Sequence, residues 1–382
     1  MKLKKIKFTN FRNLNDIEIE LSDGITVLKG KNAQGKTNFL ESIYVLALTK
    51  SFRAQRSLDL IKWDQTYFKI SGETVDDKDE THLTEAYFEL TPQKRTQFKY
   101  NHNTLPARDY IGNLKTVTFI PDDLKIITGS PRHRRRYLDI LLSQIDRGYL
   151  YVLSDYQKIL KERNALLAQI NMEKSNKDEL GFWNDKLVDL GCKLMARRQM
   201  AIDFFNNSVE KLAKTITNDD ISLKIKYLPS IRHNQGGSGD AGNGSNAAGA
   251  DNKAMKQSFE EHLMAGIDGD ILRKNTRKGP HRDDFEVLQN KRQLAIYGSR
   301  GEIRTALLTL KLCELDLFKQ ECDAMPVLLL DDVFSELDMA RQKALFDMLE
   351  KYQVIITTTD QPLENIKNAT IYNVDEGILT QS

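Results

Sequence analysis

Cysteine is scarce: the 382 residues include only Cys192, Cys313 and Cys322. Three is an odd number and no CxxC spacing occurs, which argues for reduced thiols and against a disulfide scaffold or a zinc knuckle. Long apolar runs are also missing. The clearest, Ile43 to Leu48 and Val327 to Leu330, fall far short of the ~20 residues a bilayer span requires, so no membrane partner is expected. The start, Met1-Lys2-Leu3-Lys4-Lys5, leads into alternation and charge rather than an apolar stretch. No secretory signal is expected, and the chain is assigned to the cytoplasm. Net charge is almost absent, because 56 Lys and Arg against 54 Asp and Glu leave +2; a nucleic-acid partner must be argued from local patches. The six histidines show no ligand spacing, no nucleophile triad is visible, and neither a repeat nor a sustained heptad occurs.

What remains is a globular composition, 40% hydrophobic and 29% charged, in a chain long enough for two or three compact units. Leu3, Ile6 and Phe8, then Ile17, Ile19 and Leu21, alternate as two paired strands. Ile25-Thr26-Val27-Leu28 is a compact apolar strand, followed by a glycine-bearing loop and a helix with Phe39, Leu40, Ile43, Tyr44, Leu46 and Ala47 on one side. From Trp63 to Thr118 strands return, with Asn101-His102-Asn103 as a hairpin turn. Between Arg134 and Thr215 there is no proline and the apolar spacing is helical. Asn234 to Asp251 is small and polar, and a flexible loop is expected there. Gly279-Pro280-His281 then punctuates a return to strands, Glu302 to Lys319 reads as an amphipathic helix, and the end alternates strand, helix and strand. The expected domains are residues 1–123, an inserted helical domain at 124–272 containing the 234–251 loop, and 273–382.

Gly30-Lys31-Asn32-Ala33-Gln34-Gly35-Lys36-Thr37 matches the phosphate-loop pattern GxxxxGK[ST] in the strand-to-helix context it needs. Small residues let backbone N–H groups curl around phosphate oxygens, and the helix aims its positive end at them. Lys36 would reach the β- and γ-phosphates, and Thr37 would ligate Mg²⁺. The second half-motif, Val327 to Asp338, is a buried strand ending in two acids, which face the ligand crevice in such sheets. Asp331 would hold Mg²⁺ and Asp332 would orient the attacking water. Two half-motifs almost three hundred residues apart thus point to one split ATPase site. Arg132, Arg134, Arg135 and Arg136, with His133 between them, form the densest basic cluster. It reads either as a phosphate contact, to DNA or to a nucleotide across a dimer, or as a solvated helix face.

The strings KFTNFRNL, GKNAQGKTNFLESIYVLALTKSFR, FIPDDLKIITGSPRHRRRYLD, KGPHRDDF, GSRGEIRTALLTLKL and LLLDDVFSELD span nearly the whole chain. They resemble the RecF family of bacterial recombinational repair proteins, related to the SMC and Rad50 ATPases. The resemblance implies an α/β, ABC-type, Rad50 head-like P-loop ATPase domain with a mostly helical second domain inserted. It implies ATP and Mg²⁺ as cofactors and an ATP-dependent homodimer that clamps double-stranded or gapped DNA. It also implies slow hydrolysis for release, and help from the RecR mediator in loading the RecA recombinase at gaps and stalled forks; such a protein would be nucleoid-associated. The signature loop would be Ser299-Arg300-Gly301-Glu302, with Ser299 and Gly301 contacting the γ-phosphate in trans; Arg300 and Glu302 stand where the family more often has glutamines. Arg12 falls where related heads contact nucleotide. Pro121-Asp122-Asp123 takes the place of the Q-loop, Ser335 to Asp338 that of the D-loop, and Asp360 that of the switch histidine. An SMC-type chromosome protein needs long heptad arms, and a transport ATPase the switch histidine and signature glutamine; this chain lacks both sets. A small-molecule kinase would need an acceptor pocket and lid, to which nothing points.

Overall fold

A computed structural model describes residues 1–217, 221–231, 245–322, 324–336, 339–359 and 369–382, with side chains for all of these except 245–252, 335, 336 and 340. The chain divides into two compact units. Met1–Leu124, Ser208–Ile221 and Arg300–Ser382 form the first; Lys125–Asn207 and Ser222–Ser299 form the second. The boundary expected at 272/273 therefore moves to 299/300. The physical reason is strand pairing: Asp284–Gln289 lies antiparallel to Leu223–Leu228, with Phe285 opposite Tyr227 and Val287 opposite Ile225.

Two sheets make up most of the first unit. One is antiparallel, in the order Glu18–Glu20, Lys2–Thr9, Tyr67–Val75, Thr81–Glu89, Arg95–Tyr100, Asn103–Leu105. Its last two strands join through Asn101 and His102, both at positive φ, as a tight two-residue hairpin requires. The other is mostly parallel, in the order Ile378–Gln381, Thr370–Asp375, Ile25–Lys29, Val354–Thr358, Val327–Asp331, Thr116–Phe119, with only the first strand antiparallel. Val327–Asp331 and Val354–Thr358 are buried at every residue, which explains their unbroken apolar runs.

The helix Lys36–Leu48 touches strands of both sheets. Val45 and Leu48 are therefore buried along with the face legible from spacing, and the helix is enclosed nearly all round. Gln353 stitches the sheets together: its side-chain amide donates to the carbonyls of Leu3 and Ser22 at 2.7 and 2.8 Å, and its oxygen accepts from Leu3 N at 2.7 Å. Because both ends of this buried amide are satisfied, it costs little to enclose.

The second unit contains the helices Pro131–Ile145, Arg147–Asn171, Ser245–Ala265 and Ile267–Arg273, part of Leu180–Thr217, and a three-stranded sheet. Of the segment 234–251 expected to be flexible, the C-terminal part is helical. Helix begins at Ser245, where alanines carry high helical propensity despite offering little to bury; residues 234–244 lie outside the described residues. Among the described residues no helix is long and apolar enough to cross a membrane.

Candidate functional site

Three parallel strands of the first unit, Ile25–Lys29, Val354–Thr358 and Val327–Asp331, end at the same edge, because Lys29 pairs with Thr358 and Thr357 with Asp331. The chain leaves Lys29 through the loop and enters its helix at Lys36. Ala33 and Gly35 have φ of 68° and 114°, the left-handed geometry that curls successive N–H groups into a concave anion cradle. Gly30 is required by space: a Cβ there would lie 2.3 Å from the carbonyl oxygen of Val374. The outer side of the loop is pinned by the turn between the last two strands. Glu376 N donates to Gln34 Oε1 at 2.5 Å and Gly377 N to Gln34 O at 2.9 Å.

Lys36 Nζ donates to the carbonyls of Gly30 and Lys31 at 2.5 and 2.7 Å, so the loop holds its own cation. The Thr37 hydroxyl lies 2.9 and 3.0 Å from the two carboxylate oxygens of Asp331, 294 residues away, and donates to them. Thr357 Oγ1 donates to the same carboxylate at 2.7 Å and accepts from Asp332 N at 3.1 Å. Asp332 stands at φ 53° as the chain turns out of the strand. The resulting cavity, about 1350 Å³, is lined by Asn32, Ala33, Gly35, Lys36, Thr37, Asp331, Asp332 and Thr359, with Arg12, Arg53 and Trp63 among its other walls. That exceeds the ~300–1,000 Å³ that encloses a drug-sized ligand.

Arg12 also lines this cavity, supported by a group the sequence reading overlooked. Glu41 is fully buried and binds both Nε and Nη2 of Arg12, at 2.9 and 3.0 Å. It also accepts from Arg53 Nη2 at 2.9 Å and from Ser51 Oγ at 2.5 Å. Burial pushes the Glu41 carboxyl up, but hydrogen bonds from Arg12, Arg53 and Ser51 outweigh it and hold the group below the ordinary carboxylate range. The available signal was an acid among apolar residues on the helix after the phosphate loop.

Arg300, Gly301 and Glu302 do not line this cavity. Ser299 and Gly301 are exposed, and the space around Gly301 is open. The Pro121–Leu124 turn is tied to the helix Arg300–Glu321 by buried Lys311, whose Nζ lies 3.4 Å from Asp123 and 3.5 Å from Glu314. Burial disfavours that cation, and the two carboxylates outweigh burial and keep it protonated. Leu337, Asp338 and Asp360 lie outside the described residues.

The basic cluster separates by helix geometry. Arg132 and Arg136, four residues apart, are exposed on one face. Arg134 points inward; its Nε and Nη2 form a bidentate pair with Asp284 at 2.6 and 2.9 Å, and its Nη1 donates to Gly129 O at 2.7 Å. Arg134 is therefore withdrawn as a phosphate contact, because its fork is already filled by a carboxylate. Arg135 donates to the backbone carbonyl of Asp283 at 2.7 Å and is half-buried. Burial, then the nearby charge of Arg198, lowers its pKa.

The family described as RecF/RecN/SMC N terminal domain matches residues 2–379. The DNA replication and repair protein RecF of Lactococcus lactis subsp. lactis is 38% identical over 388 residues, covering 100% of this chain and 99% of its own. The RecF of a Thermoanaerobacter species is 36% identical over 380 residues, covering 99% of each. The solved structure of the recombination mediator protein RecF-ATP in the RecFOR pathway matches with TM-score 0.89 and 33% identity, over 100% of this chain and 97% of that one. An Smc head bound to the C-winged helix domain of ScpA shares the fold, with TM-score 0.56 at 15% identity over 100% and 96% of the two chains. With its phosphate loop and paired strand-end acids in an ABC-type head, this chain belongs to the RecF family of DNA replication and repair proteins.

Proposed function

We propose that the chain is an ATP-switched DNA clamp: ATP binding joins two copies around duplex or gapped DNA, and slow hydrolysis releases it. The observation that carries this reading is the Thr37–Asp331 contact, which unites the two half-motifs at the mouth of the phosphate loop. The donor set fits the cofactors. Hydroxyl and carboxylate oxygens suit a hard divalent cation, and the left-handed turn at Ala33 and Gly35 curls backbone N–H groups toward an anion. Mg²⁺ held by Thr37 and Asp331 would neutralise charge on the β- and γ-phosphates. Lys36 exchanges its loop carbonyls for phosphate oxygens, Arg12 adds a guanidinium, and Asp332 orients water for attack on the γ-phosphate.

Dimerisation is part of this proposal. Gly301 and its neighbours at the start of the Arg300–Glu321 helix do not line the cavity of their own chain, and in this reading Ser299 and Gly301 serve the nucleotide of a second copy. A γ-phosphate bridging two copies stabilises the closed pair only while attached, and linkage then makes DNA retention depend on ATP. Exposed Arg132 and Arg136 contact the DNA backbone or the partner's phosphate. Similarity to a recombination mediator protein of the RecFOR pathway supports a mediator role for this chain; RecR as its partner, RecA loading as the outcome, and action in the cytoplasm at the nucleoid complete the proposal.

Filter retention of a gapped duplex with Mg-ATP tests this. Lys36→Ala should lower ATP affinity or turnover by roughly 10²-fold, the scale of one lost transition-state donor, and abolish ATP-dependent retention. Retention equal to wild type would refute the switch.

A further inference from the structure

Three segments of the first unit meet at the cavity: the phosphate loop, the segment that carries Arg12, and the turn between the last two strands, whose Glu376 lines the cavity with Asn13 and Asn15. Gly377 does not line it, yet bonds to both of the other segments. Its N–H donates to Gln34 O at 2.9 Å, and its carbonyl accepts from Asn15 N at 3.1 Å. One residue thus ties the phosphate loop to the Arg12 segment.

The contacts close a triangle. Gln34 also holds the turn through its side chain, whose Oε1 accepts from Glu376 N at 2.5 Å. On the remaining side the Arg12 segment lies against the loop, since a Cβ at Gly35 would sit 3.1 Å from both Asn13 Oδ1 and Leu14 Cδ2. The turn itself is fixed to the sheet, because Thr370–Asp375 pairs in parallel with Ile25–Lys29 up to Asn373 opposite Lys29. Gly377 is buried at φ 80°, and Glu376 stands at φ 46°. Left-handed φ alone would admit asparagine at 377. Space does not: a Cβ there would lie 2.0 Å from Asn13 O and 2.9 Å from its carbonyl carbon, backbone atoms that no rotamer change can move.

We propose that Gly377 is a positioning residue for nucleotide binding: it sets the spacing between the phosphate loop and Arg12, so that cradle and guanidinium address one triphosphate. This rests on the nucleotide reading above. Binding groups lose their benefit when displaced by about an ångström, so the turn governs affinity without touching the ligand.

A double-variant cycle, read by calorimetry of Mg-ATP binding to the full chain, separates positioning from general support of the fold. Arg12→Ala should weaken Mg-ATP about tenfold, the scale of one charge-assisted hydrogen bond. Gly377→Asn suits the φ of the turn but brings a Cβ against Asn13, and should cost about as much. Together they should lose no more than about twofold beyond either alone, because both remove the same contact, whereas independent effects would multiply to about a hundredfold. Multiplied losses, or wild-type affinity in Gly377→Asn, would overturn the positioning role. If Gly377→Asn shows no urea transition and so does not fold, Gln34→Ala decides, since it removes only the side-chain acceptor of Glu376 N. It should weaken Mg-ATP about threefold, the scale of one neutral hydrogen bond, and have no effect in the Arg12→Ala background; equal losses in both backgrounds, or none in either, would overturn the role. Wild type that binds no Mg-ATP would remove the nucleotide reading, and the positioning role with it.

Discussion

Arginine is used in opposite ways in the two units. In the first, one buried carboxylate, Glu41, carries both Arg12 and Arg53, and both line an open cavity. In the second, guanidiniums are held by interior carboxylates away from that cavity: Arg134 by Asp284, Arg198 by Asp139, and both Arg163 and Arg277 by Asp270. Arg12 and Arg53 on one acid leave positive charge facing an opening, which attracts an anion, whereas Arg134, Arg163 and Arg198 are turned into the interior. Arginine density in a sequence is therefore a poor guide to phosphate binding. Whether the fork faces a cavity or the interior decides the role.

Arg198 gives the largest expected effect on this contrast. It is 2% exposed, donates to Pro280 O and Asp139 Oδ1 at 2.7 Å and to the Tyr149 hydroxyl at 3.0 Å, and lies 3.9 Å from Asp283. Arg198→Met removes the cation from an interior that keeps its acids, a change that costs about 3–5 kcal/mol. Urea unfolding should show that loss while calorimetry gives unchanged ATP affinity for the folded protein. Undiminished stability would break the contrast.

A pH-dependent effect follows from the same interior. His281 Nε2 donates to Thr276 O at 2.9 Å, and its Nδ1 accepts from the Tyr156 hydroxyl at 2.7 Å, as only the neutral ring can. Burial, with the charges of Arg282, Arg135 and Arg163 outweighing the Thr276 carbonyl, pushes the imidazole from 6.5 down to about 4. Between those values the unfolded chain binds the extra proton. Stability is thus complete above about 6.5 and is lost as pH falls through about 4, on the order of 3 kcal/mol at the low end. Thermal melts from pH 7 to 4 should fall more steeply for wild type than for His281→Gln, and parallel curves would remove His281 from the account.

Glu41→Gln sharpens the first half of the comparison with a smaller effect. It makes the site more positive, so simple electrostatics would tighten ATP. If Glu41 acts by positioning Arg12 and Arg53, affinity should instead fall about tenfold, or ~1.4 kcal/mol. The sign of the change in a calorimetric titration separates the two.

Strand-to-loop-to-helix order, the parallel strand ending in Asp331 and the helical character of the insertion were legible because each rests on local periodicity or short spacing. The Asp284–Gln289 strand was assigned to the wrong unit because its partner, Leu223–Leu228, lies more than fifty residues away and pairing leaves no local mark. Arg134 shared its neighbours' composition and differed only in facing Asp284. Glu41, fully enclosed on an apolar helix, is explained only by arginines brought to it through the tertiary fold.

Completion of the nucleotide site by a second copy is the central claim, and light scattering measures it most directly. With Asp332→Asn slowing turnover, the molar mass should double on addition of Mg-ATP, and the doubled species should retain a short gapped duplex. A protein that binds ATP, keeps its monomer mass and releases the DNA would contradict the account.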